Sequence, residues 1–244
     1  MRRNLQTWLG VTVAALLLAS LSFNHSTPAS ARSAGENFLA ALGDDLSGNY
    51  KITSSSNPGG GGSYSGTVRI NSMGDAYRIT WTLRGGQGYE GVGIQMGNAL
   101  MVGWGTGSGK HGVVAYRIEG GTLKGAWTLS DMRGAIGTED LAGSPELKGA
   151  YKIVASTTPG GGKGYAGTVT ITPNGETYTV RWKLASGESY NGVGIRQGDL
   201  LAVGWGINQD SVGVVHYTQQ GTALQGVWAI PGGKRLGSEL LTRQ

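Results

Sequence analysis

The chain is an internal duplication, and this limits its possible folds more than any other feature. The segment "GNYKITSSSNPGGGGSYSGTVRI", which begins at Gly48, is matched by "GAYKIVASTTPGGGKGYAGTVTI", which begins at Gly149, 101 residues later. The match continues at this offset as far as the pair Trp127 and Trp228, with about half of the positions identical. Self-similarity at a fixed period indicates one structural unit present more than once. We therefore expect two copies of one folding unit.

Each copy has the pattern of short antiparallel strands. Segments such as "YRITWTL", "YEGVGI" and "LMVGWG" alternate in polarity with period two, and glycine or asparagine separates them, as is typical of strands joined by tight hairpins. Trp81, Trp104 and Trp127 are spaced 23 residues apart, which is one strand pair with its connections, and this predicts about eight strands per copy.

The predicted fold is all-β, with two tandem small antiparallel β-barrels. Glycine is very abundant, at 46 of 244 residues, and it lies among valine, tyrosine and tryptophan in the strand segments, where it typically allows a sheet to bend. A regular meander of eight strands closes on itself and so removes its exposed edges, as in lipocalin-like and avidin-like barrels. Two β-sandwiches, or one continuous meander sheet shared by both copies, are the alternatives.

The N-terminus has the layout of a secretory signal peptide. Arg2 and Arg3 precede an apolar run, and "ASA" before Arg32 is a typical cleavage site, so we expect cleavage between Ala31 and Arg32. The apolar run is too short and too interrupted for a membrane anchor. The sequence thus predicts an exported bacterial protein, periplasmic or secreted, with no transmembrane span in the mature chain.

These features divide the chain into four segments. We predict a signal peptide over 1–31, a lead-in segment over 32–45, barrel repeat 1 over 46–142 and barrel repeat 2 over 147–244. The short segment "AGSPE", residues 142–146, is predicted to be a hinge between the two repeats.

Composition excludes several classes of function. The chain has no cysteine, so disulfides and thiol chemistry are absent. The formal net charge is +5 and becomes +3 when the two arginines of the signal peptide are removed (5 − 2). Basic residues are scattered rather than clustered, which argues against nucleic-acid binding. No cofactor is predicted.

Neither catalytic nor metal-binding residues are predicted. His111 and His216 are not at equivalent positions of the two copies, and we expect both to be satisfied surface histidines. The two copies share an acidic residue at two equivalent positions, Asp75/Glu176 and Glu139/Glu239. The first pair is expected in hairpin turns. The second is expected to close each barrel through a bond to backbone or to a tyrosine.

The residues that the two copies share are mostly aromatic, and these are the candidate ligand-binding residues. All ten tyrosines and the six tryptophans after the signal peptide fall into equivalent pairs, whereas many charges differ. Barrel mouths lined by aromatic residues are common ligand sites, although tryptophan and tyrosine also fill barrel cores. The candidates are Trp81, Trp104, Trp127, Tyr89 and Tyr116 in repeat 1 and Trp182, Trp205, Trp228, Tyr190 and Tyr217 in repeat 2.

The motifs "YSGTV" at 64–68, "GVGI" at 91–94, "VGWG" at 102–105 and "LKGAW" at 123–127, with their second copies, carry a resemblance. Together they resemble a family of exported bacterial proteins that automatic labelling often calls fibronectin-binding or hypothetical. This resemblance implies a non-enzymatic adhesin. A looser likeness is to avidin-type and lipocalin-type barrels, which implies binding of small ligands.

Three functions remain open at this point. The first is an exported, non-enzymatic binding or cell-envelope protein whose partner is an extracellular matrix or envelope protein. The second is a carrier of a small lipid, sugar or aromatic molecule in tryptophan-lined barrel mouths. A hydrolase is the third. An open cavity of several hundred Å³ favours the carrier, and filled barrels with an exposed apolar patch favour the protein partner.

Overall fold

The computed structural model of the protein describes residues 44–106, 109–207 and 211–244. The predicted signal peptide, and the lead-in segment up to residue 43, lie outside the described residues. The described chain consists of strands joined by short turns, with one single-turn 3-10 helix at Pro58–Gly60. In this part of the chain, none of the helical segments has the length and apolar character needed to cross a membrane.

Repeat 1 contains eight strands and repeat 2 another eight, as the spacing of the tryptophans predicts. In repeat 1 they are β1 (Gly48–Ser56), β2 (Gly66–Met73), β3 (Ala76–Leu83), β4 (Gly88–Met96), β5 (Ala99–Thr106), β6 (Lys110–Glu119), β7 (Thr122–Leu129) and β8 (Gly137–Gly143). In repeat 2 they are β9 (Gly149–Thr157), β10 (Gly167–Asn174), β11 (Thr177–Leu184), β12 (Ser189–Gln197), β13 (Leu200–Ile207), β14 (Ser211–Gln220), β15 (Ala223–Ala229) and β16 (Gly237–Arg243).

The strands form two closed, eight-stranded antiparallel barrels, which confirms the predicted fold class. One barrel, here called the central barrel, consists of β6 to β13 in chain order, closed by pairing of β6 with β13. The other, the terminal barrel, consists of β1 to β5 and β14 to β16, closed by pairing of β1 with β16 and of β5 with β14. The alternatives of two sandwiches or one continuous sheet are wrong.

The barrels do not coincide with the repeats. Strands β6 to β8 belong to repeat 1 but complete the barrel begun by β9 to β13, and β14 to β16 of repeat 2 complete the barrel begun by β1 to β5. The limits 46–142 and 147–244 therefore describe sequence copies and not barrels. The predicted hinge, residues 142–146, overlaps the loop 144–148, which joins β8 to β9 inside the central barrel and does not separate the two barrels. The chain passes between barrels after β5 and after β13.

This exchange is possible because the two copies offer nearly equivalent partners. In β14, Val214 lies opposite Gly103 of β5, and in β6, Val113 lies opposite Gly204 of β13. The two registers are the same when the 101-residue offset is applied. At these two seams, each strand pairs with a sequence nearly the same as the one next to it in its own repeat, but the partner strand belongs to the other copy. The arrangement is that of a domain swap within one chain.

Alternation within each strand separates a barrel interior from an outer face. In β5, Leu100 and Val102 point into the terminal barrel, and Met101 points outward, as the sequence predicts. The outer faces of β4, β5, β12 and β13, with parts of β6, β7, β14 and β15, pack into an apolar layer between the barrels. This layer contains Val92, Ile94, Met96, Ala99, Met101, Val113, Ala115, Ala126, Val193, Ile195, Leu200, Ala202, Val214 and Ala229.

Two strand glycines allow the backbones to approach each other where the barrels meet. A Cβ atom on Gly103 of β5 would lie 1.9 Å from the carbonyl oxygen of Gly112 of β6. At the equivalent place, a Cβ on Gly204 would lie 2.1 Å from the carbonyl oxygen of Gly213. The second glycines of these pairs are needed for a different reason. A Cβ on Gly213 would lie 2.2 Å from the indole of Trp104, and a Cβ on Gly112 would lie 2.6 Å from the carbonyl oxygen of Thr128 and 2.9 Å from Trp205 Nε1. Bending of the sheet alone, the reason expected from the sequence, does not explain these positions.

The histidines are buried, so the expectation of surface histidines is wrong. His111 is 6% exposed and His216 is 3% exposed. His216 shares the outer face of β14 with Val214, and neither of its ring nitrogens has a hydrogen-bond partner. Burial lowers the pKa of His216 to about 4, so the ring is neutral at pH 7. Its counterpart in repeat 1 is Ala115, which packs in the same layer.

Candidate functional site

Each barrel has a cavity at the end where the third strand of one repeat turns into the fourth. In the central barrel the cavity measures about 280 Å³ and is reached past the turn between β11 and β12. In the terminal barrel it measures about 240 Å³ and lies beside the turn between β3 and β4. Both are open, and both are lined mainly by aromatic side chains. The site is therefore duplicated along with the fold.

Eight of the ten predicted site residues line these cavities. Trp127, Trp182, Trp205 and Tyr190 line the central cavity, and Trp81, Trp104, Trp228 and Tyr89 line the terminal one. The other two, Tyr116 and Tyr217, are fully buried in the barrel interiors and do not line the cavities. Their hydroxyl groups donate hydrogen bonds to the buried carboxyl groups of Glu139 and Glu239.

Each cavity combines residues of both repeats, because the barrels exchange strands. Trp127 of repeat 1 lies beside Trp182 and Trp205 of repeat 2. Conversely, Trp228 of repeat 2 completes the site formed by Trp81 and Trp104 of repeat 1. Three tryptophans line each cavity, but these sets differ from the sets within each repeat, because the third member of each comes from the other copy.

The aromatic rings of the central cavity meet mostly edge to face. The ring centroid of Trp205 lies 5.3 Å from that of Tyr190, 6.2 Å from that of Trp127 and 6.5 Å from that of Trp182. Trp127 in turn contacts Tyr165, with centroids 6.0 Å apart. The terminal cavity repeats two of these contacts: Tyr89 with Trp104 at 5.3 Å, and Tyr64 with Trp228 at 6.2 Å. These contacts hold the rings in fixed orientations around an open centre.

A buried glutamate ties the aromatic residues together at the inner end of each site. Glu239 of β16 is 3% exposed and accepts hydrogen bonds from Trp81 Nε1 at 3.2 Å, from Tyr64 Oη at 3.1 Å and from Tyr217 Oη. Glu139 of β8 is 1% exposed and accepts from Trp182 Nε1 at 3.0 Å and from Tyr116 Oη. The expected bond between these glutamates and a tyrosine is confirmed.

Burial has the largest effect on the pKa of both glutamates. Removal from water raises the pKa of Glu139 and of Glu239 above 4.5, although the hydrogen bonds from tyrosine and tryptophan act in the opposite direction. The same burial raises the pKa of Tyr116 and of Tyr217, so both remain protonated donors. This cluster is a set of matched donors and acceptors that fixes the walls of the cavity.

Tyr64 and Tyr165 are the two aromatic site residues that sequence reasoning did not select. Tyr165 lines the central cavity, and Tyr64 lines the terminal one. Each precedes the second strand of its repeat and is held by a serine of the first strand, as Ser55 Oγ contacts the backbone of Tyr64. Their presence in the list of duplicated tyrosines was the available signal. The acids Asp75 and Glu176 lie in hairpin turns, as predicted.

No protein-family model matches the sequence, and no curated protein or solved structure is significantly similar to it. The function must therefore be argued from the geometry of the two sites.

Proposed function

We propose that the protein is an exported, non-enzymatic binding protein that holds a small ligand in each of its two barrels. The observation that carries this proposal is the pair of open cavities, each walled by three tryptophans. The duplication kept these aromatic residues while many charges changed. A need for packing alone accounts for buried rings, but it does not account for rings that border empty volume.

The size of the cavities limits the ligand. Volumes of about 280 and 240 Å³ are near the lower end of the range for small-molecule sites, roughly 300–1,000 Å³. The walls are mostly apolar and aromatic, with a few polar groups at the rim. A ligand with one compact apolar or aromatic group therefore fits better than a long lipid chain.

The described surface favours this function over adhesion to a matrix or envelope protein. Among the described residues, Val154 and Ile230 are the large apolar side chains that are exposed, at 55% and 40%. Stable protein partners commonly use a contiguous apolar patch rimmed by polar residues. Two separate side chains do not form such a patch, whereas the cavities offer concave apolar surface.

Native mass spectrometry of the mature protein, purified gently from its own cell envelope, tests the proposal. We expect up to two added masses, each of a few hundred daltons or less, in keeping with the cavity volumes. In Trp205→Ala the adduct of the central barrel should be lost, and in Trp104→Ala that of the terminal barrel.

These two variants control for each other, because the substituted residues are equivalent. Both should keep the circular dichroism spectrum of the wild-type barrel. A clean protein mass at every activation energy, together with no added mass on incubation with small aromatic or amphipathic compounds, contradicts the proposal.

A further inference from the structure

The two cavities differ in charge, although their aromatic walls are equivalent. Glu188 stands at the rim of the central cavity where Gln87 stands at the rim of the terminal one. Ser186, which replaces Gly85, donates a hydrogen bond to the Glu188 carboxylate and orients it. The rim of the central cavity thus has an acidic group that its duplicate lacks.

The inner ends of the cavities differ in the same sense. Glu139 lines the central cavity, but its counterpart Glu239 does not line the terminal cavity. Tyr64 Oη donates to the second carboxyl oxygen of Glu239 at 3.1 Å, and Tyr165 is the equivalent hydrogen-bonding neighbour of Glu139. The hydrogen bonds from Trp182 and Tyr116 both end on Oε1 of Glu139. The central cavity therefore has a carboxyl group at each end, and the described lining of the terminal cavity has none.

The tryptophans of the central cavity have little hydrogen-bonding capacity left for a ligand. Trp182 Nε1 donates to Glu139, and Trp127 Nε1 donates to the carbonyl oxygen of Thr157 at 3.2 Å. Trp205 Nε1 is buried away from the cavity surface without a partner. What these side chains offer a ligand is ring surface, which carries partial negative charge on its face.

Aromatic ring surface combined with a carboxylate at the rim is suited to a compact cation. A methylated ammonium group is attracted by the faces of tryptophan and tyrosine within about 6 Å, and aromatic cages recognise such groups. Among the described residues that line the central cavity, none is a lysine or an arginine that would neutralise Glu188 or repel a cation.

We propose that the central barrel binds a small organic cation with a methylated or quaternary ammonium group, and that the terminal barrel prefers a neutral ligand of similar size. Trp127, Trp205 and Tyr190 surround the ammonium group, and Glu188 at the rim selects its charge. This inference rests on the proposed small-ligand function and assigns different ligand classes to the two copies of the site.

A comparison of choline with its neutral isostere 3,3-dimethylbutan-1-ol tests the charge selectivity. Isothermal titration calorimetry on the full mature chain should show choline binding about tenfold more tightly than the isostere to the central barrel. The site is identified by repeating the titration with Trp205→Ala. Choline affinity should fall as ionic strength rises, because the rim carboxylate is partly exposed to solvent.

Charge variants at the two rims give the sharpest test. Glu188→Gln should weaken choline binding by about threefold to tenfold and leave the isostere unaffected. Gln87→Glu should give the terminal barrel a choline preference that it lacks in the wild type. Glu119→Gln is the matched control, since it removes the same charge from an exposed position at the end of β6. It should change neither affinity.

The outcomes separate the inference from the proposed function. Equal binding of choline and the isostere, with no effect of Glu188→Gln, overturns the charge selectivity and leaves small-ligand binding intact. If neither compound binds and the mass spectra of the native protein are also clean, both proposals are overturned.

Discussion

Replacing Gly103 with alanine is expected to destabilise the protein by about 3 kcal/mol or more, the upper end of the usual effect of overpacking. The new Cβ would lie 1.9 Å from the carbonyl oxygen of Gly112. Both backbones are held in hydrogen-bonded ladders, β5 with β14 and β6 with β13, so neither can move without breaking strand pairs. Gly204→Ala should cost a similar amount, because its Cβ would lie 2.1 Å from the carbonyl oxygen of Gly213.

Urea unfolding followed by tryptophan fluorescence measures this loss. Gly88→Ala in β4 is the matched control, because the nearest atom to its Cβ, the carbonyl oxygen of Trp81, lies at an ordinary 3.5 Å. The control should be neutral or slightly stabilising, since alanine restricts the unfolded chain. If Gly103→Ala is as stable as this control, the β5 and β6 backbones do not approach each other as described.

Replacing Glu239 with leucine is expected to destabilise the protein by about 3 kcal/mol, although leucine is apolar and of similar size. The substitution leaves Trp81 Nε1 and Tyr217 Oη buried without an acceptor, and each orphaned donor costs about 1–3 kcal/mol. Tyr64, which is partly exposed, can turn to water. Loss of the shared acceptor should also loosen the cavity wall, so ligand binding to the terminal barrel should weaken.

Glu239→Gln is the conservative counterpart and should cost only about 1 kcal/mol, the typical net value of one hydrogen bond, because its amide oxygen still accepts from two donors. Burial raises the pKa of the Glu239 carboxyl above 4.5, so its contribution to stability is present below that pH. It is lost as pH rises through the folded-state pKa. As the pH rises, Glu239→Gln should therefore lose less free energy of unfolding than the wild type. An unchanged free energy of unfolding in Glu239→Leu contradicts this role.

The sequence correctly predicts the strands and which residues of a strand share a face. Alternation in "LMVGWG" assigns Leu100 and Val102 to one face, and the structure places both in the interior of the terminal barrel. Local rules also favour a hairpin between β5 and β6, because these strands are adjacent in the chain and separated by glycine. The structure instead pairs β5 with β14, whose sequence "GVVHY" is nearly that of "GVVAY" in β6. Two equivalent partners cannot be distinguished by local sequence, so the pairing of β5 with β14 could not be predicted from it.

The candidate site could be predicted from the sequence only in part. Duplicated tryptophans indicate a shared requirement, so eight cavity residues were found from the sequence. The role of Glu188 could not be found from the sequence. The replacement of Gln87 by Glu188 becomes informative only when both residues are known to line a cavity. The same holds for His216, whose burial follows from the contact between two outer barrel faces.

Exchange of strands between the repeats is the central claim, and paired cysteines test it in a chain that has no cysteine of its own. Ser56 of β1 lies opposite Ser238 of β16, with their hydroxyl oxygens 2.9 Å apart, which suits a disulfide. If each repeat closed its own barrel, Ser56 would instead face Thr138, the repeat 1 counterpart of Ser238. In the structure Thr138 lies opposite Thr157.

Peptide mapping of the oxidised monomer by mass spectrometry, with and without reductant, is the measurement. We predict a disulfide in Ser56→Cys/Ser238→Cys and free thiols in Ser56→Cys/Thr138→Cys. A disulfide in the second variant and free thiols in the first would show that each repeat forms its own barrel, and that neither cavity is shared between the copies.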